Sequence, residues 1–280
     1  IAAHDNTRSA TFVLASSTSR NKEQADFVCD GVADHVELQQ ALDSLTNGGR
    51  VILLEGVYNF SGIVTFPSNI QLEGQGNATQ IIYSASGTSG EVWRILNQHN
   101  CTIKNLMLDG GGREHSGIRS NNATNIRLEG VTVRNFMGQF AIRLGSAYNI
   151  AFRCLTENNS SGLELNGDYN VAIGCISRNN LGFGIRAVEV YKSRRLISCF
   201  SINNGLHGID LNPATSVPSD TQTSVIGCVA SGNQGYGIYI PNTGMENVII
   251  DGCHLSGNAQ GNLLDNGTNT IIGDNYIEGA

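Results

Sequence analysis

The sequence predicts an all-β fold: a right-handed parallel β-helix, built as one solenoid and closed at its N-terminal end by a capping α-helix. Two observations carry this. One unit recurs along most of the chain with constant internal spacing and unequal steps, and a lone amphipathic segment precedes the first unit.

The unit opens on Asn followed by Val or Ile, continues through a Cys and closes on Asn. It reads Asn149-Ile150…Cys154…Asn159, then Asn170-Val171…Cys175…Asn180 and Leu196-Ile197…Cys199…Asn204. Val225-Ile226…Cys228…Asn233 and Val248-Ile249…Cys253…Asn258 follow. The cysteines step by 21, 24, 29 and 25 residues, yet each closing Asn lies five residues after its Cys. Fixed local spacing with variable steps means constant strands joined by variable loops, stacked about 4.8 Å apart. Asn69-Ile70, Asn100 and Asn125-Ile126 open earlier coils without the Cys, and a last partial coil begins near Thr270.

A second anchor is the pair Gly117-Ile118, Ala141-Ile142, Gly162-Leu163, Gly184-Ile185, Gly208-Ile209 and Gly237-Ile238. Strand side chains alternate, so the apolar member points inward and the residue after it points out. The stacked Asn residues are expected to hydrogen-bond from coil to coil.

An open solenoid end exposes apolar core and must be covered. Asp34-His35-Val36-Glu37 reads as a capping box, with Leu38, Ala41, Leu42 and Leu45 as the apolar face of a helix near 35–46. Asn47-Gly48-Gly49 stops it, and Val51-Ile52-Leu53-Leu54 opens the first coil. The expectation is a single domain over 1–280, with about 1–50 as cap and 51–280 as coils. The longest step contains Pro213 to Gln222, which is expected to wall one side of a groove.

Five of the seven Cys share one inward position of consecutive coils and no Cys-x-x-Cys pair exists, so they read as small buried thiols. No residue is assigned to a metal; a calcium ion between carboxylates of neighbouring coils stays open. Net charge is −7, but Arg113 to Arg195 holds 11 basic and 6 acidic residues against 6 and 18 elsewhere. That polarisation fits an anionic ligand held mid-rod, or a chance cluster of solvated arginines. Negative net charge, few lysines and no base-stacking motif argue against nucleic acid as partner. No run approaches the roughly 20 apolar residues of a membrane span.

The segment Asp26 to Asp34, with its helix and the run Gly48-Gly49-Arg50-Val51…Glu55-Gly56-Val57-Tyr58, resembles the N-terminal cap of the pectate-lyase-like β-helix superfamily. That superfamily includes polysaccharide lyases, mannuronan C5-epimerases, polygalacturonases and phage tailspike depolymerases. Asn203-Asn204-Gly205-Leu206-His207-Gly208-Ile209-Asp210 is similar to the Asn-Asn-x-Arg-His-Gly-Phe-Asn segment of the mannuronan epimerases, with Leu206 in place of the Arg. The resemblance implies that His207 transfers a proton. The epimerases' Asp-Pro-His motif has no copy two coils upstream, where Gly162-Leu163-Glu164-Leu165-Asn166 stands. The motifs by which polygalacturonases hydrolyse their substrate are missing.

Read from the residues alone, the outward place after each pair gives one stripe: Arg119, Arg143, Glu164, Arg186, Asp210 and Tyr239, flanked by His207. Lyase or epimerase chemistry on a uronate needs the carboxylate neutralised, a base for the C5 proton and an acid for the leaving oxygen or the opposite face. His207, Tyr239 and Arg186 are the candidate catalytic residues, with His207 as base and Tyr239 as acid. Arg119, Arg143, Glu164, Asp210 and Lys192 are candidate substrate-binding residues. The same alternation of charges also describes a solvated ladder of cross-strand ion pairs.

Two functions therefore stand: an extracellular, secreted or virion-associated enzyme acting on an acidic polysaccharide, by β-elimination or C5 epimerisation, or a non-catalytic glycan-binding or structural module of a phage tail or cell surface. Either is compatible with a monomer or a homotrimer.

Overall fold

The structure is a computed structural model that describes residues 10–85, 90–187, 192–211, 222–241 and 244–279. Of the segment expected to wall the groove, all but Gln222 lies outside the described residues.

Among the described residues the coils stack into two parallel sheets, one of twenty strands and one of nine. In the nine-stranded sheet, Trp93, Ile118, Ile142, Leu163, Ile185, Ile209 and Ile238 pair in sequence and fill one inward column. In the larger sheet, Leu128, Ala151, Ala172, Leu196, Val225 and Ile250 form a second buried column. The core is thus one continuous apolar strip that each coil extends and none could bury alone. Parallel strands joined by such crossovers take the right-handed path.

Corners are made by single residues in the left-handed region. One corner column holds Asn69, Asn100, Asn125, Asn247 and Asn269; Tyr148, Tyr169, Ser193 and Gln222 occupy the coils between. Asn tolerates this conformation because its short side chain can hydrogen-bond locally. Here Asn125 Nδ2 donates to Asn100 Oδ1 (3.2 Å) and Asn100 Nδ2 to Asn69 Oδ1 (3.0 Å).

The closing Asn residues are laddered, and Asn159, Asn180, Asn204 and Asn233 are buried. In Asn159, Asn180, Asn204 and Asn233 the backbone N–H donates to the Oδ1 of the next Asn, the last bond reaching Asn258. This ladder explains the glycines of the second anchor. A Cβ on Gly184, Gly208 or Gly237 would lie 2.6–2.7 Å from the Nδ2 of Asn204, Asn233 or Asn258. The cysteines are all free and buried, as read. Among them, the Cys175 thiol donates to the Ala151 carbonyl one coil back (3.3 Å) and the Cys199 thiol to that of Ala172 (3.4 Å).

Two details of the cap differ from expectation. The helix runs His35–Asp43 and buries Leu38, Ala41 and Leu42, but Asp34 makes no capping bond to it. Its carboxylate instead accepts the N–H groups of Gly31 (2.8 Å) and Asn59 (2.7 Å), tying the preceding turn to the first coil. The solenoid also begins before the helix: Ala10–Ala15 pairs in parallel with Gly49–Leu53 and covers a strand edge that would otherwise be open.

Candidate functional site

The outward stripe forms in the register read from the sequence. Arg119 pairs with Arg143, Arg143 with Glu164, Glu164 with Arg186, Arg186 with Asp210, and Asp210 with Tyr239. It extends one coil further back, to Arg94. Neighbours are one strand spacing apart, about 4.8 Å.

A second outward column runs beside it, formed by the residue before each Gly-Ile-like pair. Glu91 pairs with Ser116, and Phe140, Ser161, Phe183, His207 and Tyr236 continue the column in the following coils. The members of this column share no residue type, so the repeat pattern does not mark it, and of them only His207 carries a sequence signal. Together the columns make a face that changes character along the rod.

Its first part is charged. Arg94 Nη2 lies 3.0 Å from Glu91 Oε2, and Arg119 pairs with the other oxygen of Glu91. Burial alone would raise the Glu91 carboxyl, but the hydrogen bonds from Arg119 and Arg94 outweigh it and hold the group below the usual range. Above these residues opens a cleft of about 540 Å³, lined also by Glu114, Ser116 and Gln139. Arg143 Nε is 3.6 Å from Glu164 Oε1. Asn166 Nδ2 donates to the same Glu164 oxygen at 3.0 Å.

Its second part is aromatic. The His207 ring stacks on Tyr239 with centroids 3.8 Å apart and planes 11° from parallel. Tyr236 and Phe183 flank His207 at 5.8 and 6.0 Å. Arg186 crosses the Phe183 ring at 4.9 Å and pairs with the fully buried Asp210, Nε to Oδ2, at 3.1 Å.

The Tyr236 N–H donates to His207 Nδ1 at 2.9 Å. A nitrogen that accepts carries no proton, so neutral His207 holds its hydrogen on Nε2. Burial pushes the imidazole below its ordinary range, which favours this neutral form. The ring is therefore arranged to donate through Nε2 rather than to take up a proton there, which differs from the role of base read from the sequence.

Of the eight candidates, His207, Tyr239, Arg186 and Asp210 come together at the aromatic end, with Glu164 next to Arg186. Arg119 and Arg143 lie towards the charged end. Lys192 is off the stripe, exposed on the corner beyond the nine-stranded sheet, where its carbonyl accepts the Tyr169 N–H at 2.8 Å. Among the described residues one group of possible metal ligands converges, Cys29, Asp34 and Glu37 within 4.8 Å in the cap. Both Asp34 oxygens there already accept backbone N–H groups.

By fold the chain is a right-handed parallel β-helix. An alginate lyase from Paenibacillus sp. strain FPU-7 superposes with a TM-score of 0.61, at 14% identity over 94% of this chain and 99% of that one. ORF18 of Geobacillus virus E2 gives a TM-score of 0.67 at 18% identity over 88% of this chain. The enzymatically active domain of bacteriophage CBA120 tailspike protein 2 gives 0.61 at 12% identity over 85%. The chain spans 59% of the Geobacillus virus protein and 43% of the tailspike domain. No protein-family model and no curated protein matches the sequence. No helix among the described residues is long and apolar enough to cross a membrane.

Proposed function

We propose that the chain is a carbohydrate-active β-helix that acts on an acidic, uronate-containing polysaccharide by β-elimination or C5 epimerisation, outside the cell or on a virion. The observation that carries this reading is the two-column face, which passes from Glu91, Arg94, Arg119 and Arg143 to Phe183, His207, Tyr236 and Tyr239. Arginines suit carboxylates, and flat rings suit the C–H faces of sugars. Successive coils are spaced on the scale of one sugar unit, so a polymer lying along the rod meets one pair of side chains per unit.

In this reading Arg186 neutralises the carboxylate of the reacting unit, which acidifies its C5 proton. His207, neutral with its hydrogen on Nε2, donates a hydrogen bond from Nε2–H to the same carboxylate as negative charge builds on it. Proton transfer falls to Tyr239: in a lyase its hydroxyl gives its proton to the leaving oxygen as its oxygen takes the C5 proton, and in an epimerase its hydroxyl passes its proton to water, its oxygen takes the C5 proton and that water protonates the opposite face. Proton NMR of alginate, pectate and glycosaminoglycan, before and after incubation with the protein, tests this directly. Unsaturated-sugar signals identify a lyase, and altered uronate ratios without cleavage identify an epimerase. Loss of either signal in His207→Ala supports the role of the ring; full turnover in that variant removes it.

A second reading is a non-catalytic glycan-binding module. It is favoured by the ion pairs that tie Arg94 and Arg119 to Glu91, Arg143 to Glu164 and Arg186 to Asp210. Unchanged spectra together with measurable glycan binding would establish it.

A further inference from the structure

Tyr148 and Tyr169 stand in a corner column whose other described members are Asn69, Asn100, Asn125, Ser193, Gln222, Asn247 and Asn269. Both tyrosines hold left-handed backbone angles, φ 62° and 56°. An aromatic side chain gains nothing from that conformation, whereas Asn, the residue the column otherwise favours, is suited to it. Both rings are nonetheless exposed, Tyr148 at 56% and Tyr169 at 43%, and they stack with centroids 5.0 Å apart and planes 4° from parallel. The chain accepts strain to present two rings to solvent, and neither takes part in the core or in the two-column face.

We infer that the Tyr148–Tyr169 pair is a second saccharide-binding site, a stacking platform for a pyranose ring on the corner beyond the groove. The surroundings decide the class of ligand. Ser193, next in the column, is too short to cover the outer face of Tyr169, and Lys192, Asp168, Asn125 and Gln222 make the neighbourhood polar. A pyranose has C–H bonds on its face and hydroxyls around its edge, which matches rings rimmed by hydrogen-bonding groups. A protein partner would call for a broader apolar surface than two rings. The platform is two coils from His207 along the rod and one strand length across it, on the order of 20 Å away. A single polymer several sugars long can therefore engage both. The inference rests on the glycan reading of the groove and extends it to the opposite rim.

The test is the double variant Tyr148→Asn/Tyr169→Asn, which returns the column's own residue to both positions. Mobility is measured in native gels cast with alginate, pectate or hyaluronan, and melting is followed by circular dichroism. The expected result is a melting temperature equal to or above wild type, with retardation weakened about tenfold in the gel that retards wild type. Retardation equal to wild type overturns the platform and leaves the groove reading intact. A lowered melting temperature with unchanged retardation also overturns it, by showing that the stack is only structural. If wild type itself migrates freely in all three gels, the glycan reading fails and the platform fails with it.

Discussion

Asn204→Ala should be among the most destabilising single substitutions outside the apolar core. The Asn204 Nδ2 group donates to Ser177 O (3.2 Å), Ser201 Oγ (3.1 Å) and Asn233 Oδ1 (2.9 Å). Its Oδ1 accepts from Asn180 N (3.1 Å) and Asn180 Nδ2 (3.0 Å). Alanine removes all five bonds at a site with no solvent access. The partners do not suffer equally. Asn180 Nδ2 keeps Thr156 O and Ser177 Oγ, and Asn233 Oδ1 keeps the backbone N–H of residue 204. The Asn180 N–H is left without an acceptor. One orphaned buried donor costs about 1–3 kcal/mol, and the other net losses add about 1 kcal/mol each, so a total of roughly 3–5 kcal/mol follows. For a chain of this size that lowers the melting temperature by about 10 °C. Asn203→Ala, one residue earlier, removes an exposed left-handed Asn and should cost only about 1–2 kcal/mol. Urea unfolding of both variants beside wild type measures the difference. If Asn204→Ala costs no more than Asn203→Ala, the ladder does not stabilise the stack in the way its geometry implies.

Arg194 is fully buried, its Nε and Nη1 have no hydrogen-bond partner, and burial pulls the guanidinium down to about 10, with Asp168 opposing. A base whose folded pKa lies below its unfolded value costs stability while protonated, so Arg194→Met should stabilise by about 1–3 kcal/mol at pH 7. That gain should shrink above about pH 10, which urea titration at both pH values checks. Burial also lowers the imidazoles of His35, His115 and His207. Below about pH 6.5 the unfolded chain then binds protons that the folded chain resists, so stability should fall from pH 7 to pH 5. His115→Phe should flatten that slope; an unchanged slope would remove His115 from the account. All seven thiols are buried, so a thiol-exchange reagent should react with none in the native protein and with seven after denaturation.

The coils were legible because a solenoid repeats its physics. Each coil must place apolar residues inward, a small residue where the ladder passes and an Asn where the ladder turns. Cys154, Cys175, Cys199, Cys228 and Cys253 mark one position five times over, and Gly184, Gly208 and Gly237 mark another. The first strand was not legible for the converse reason. Thr11 to Ala15 is a short apolar run with no anchor residue, and its pairing partner Gly49–Leu53 lies beyond the cap helix. The capping box failed because the Asp34 carboxylate is drawn to the turn at Gly31 and to the first coil at Asn59.

The face was half legible, and the missing half explains the difference between position and role. Register follows from counting residues, so Arg119 to Tyr239 fell into line without knowledge of any contact. Roles depend on which atoms meet. The stack of His207 on Tyr239 joins residues one coil apart and three places out of register, a distance that no strand pattern encodes. The proton on His207 is assigned by a backbone N–H of the next coil, and a backbone donor leaves no mark in a sequence. A resemblance to a family's histidine can therefore point to a position on the face. Which nitrogen of that ring carries the hydrogen is set by the coil stacked upon it.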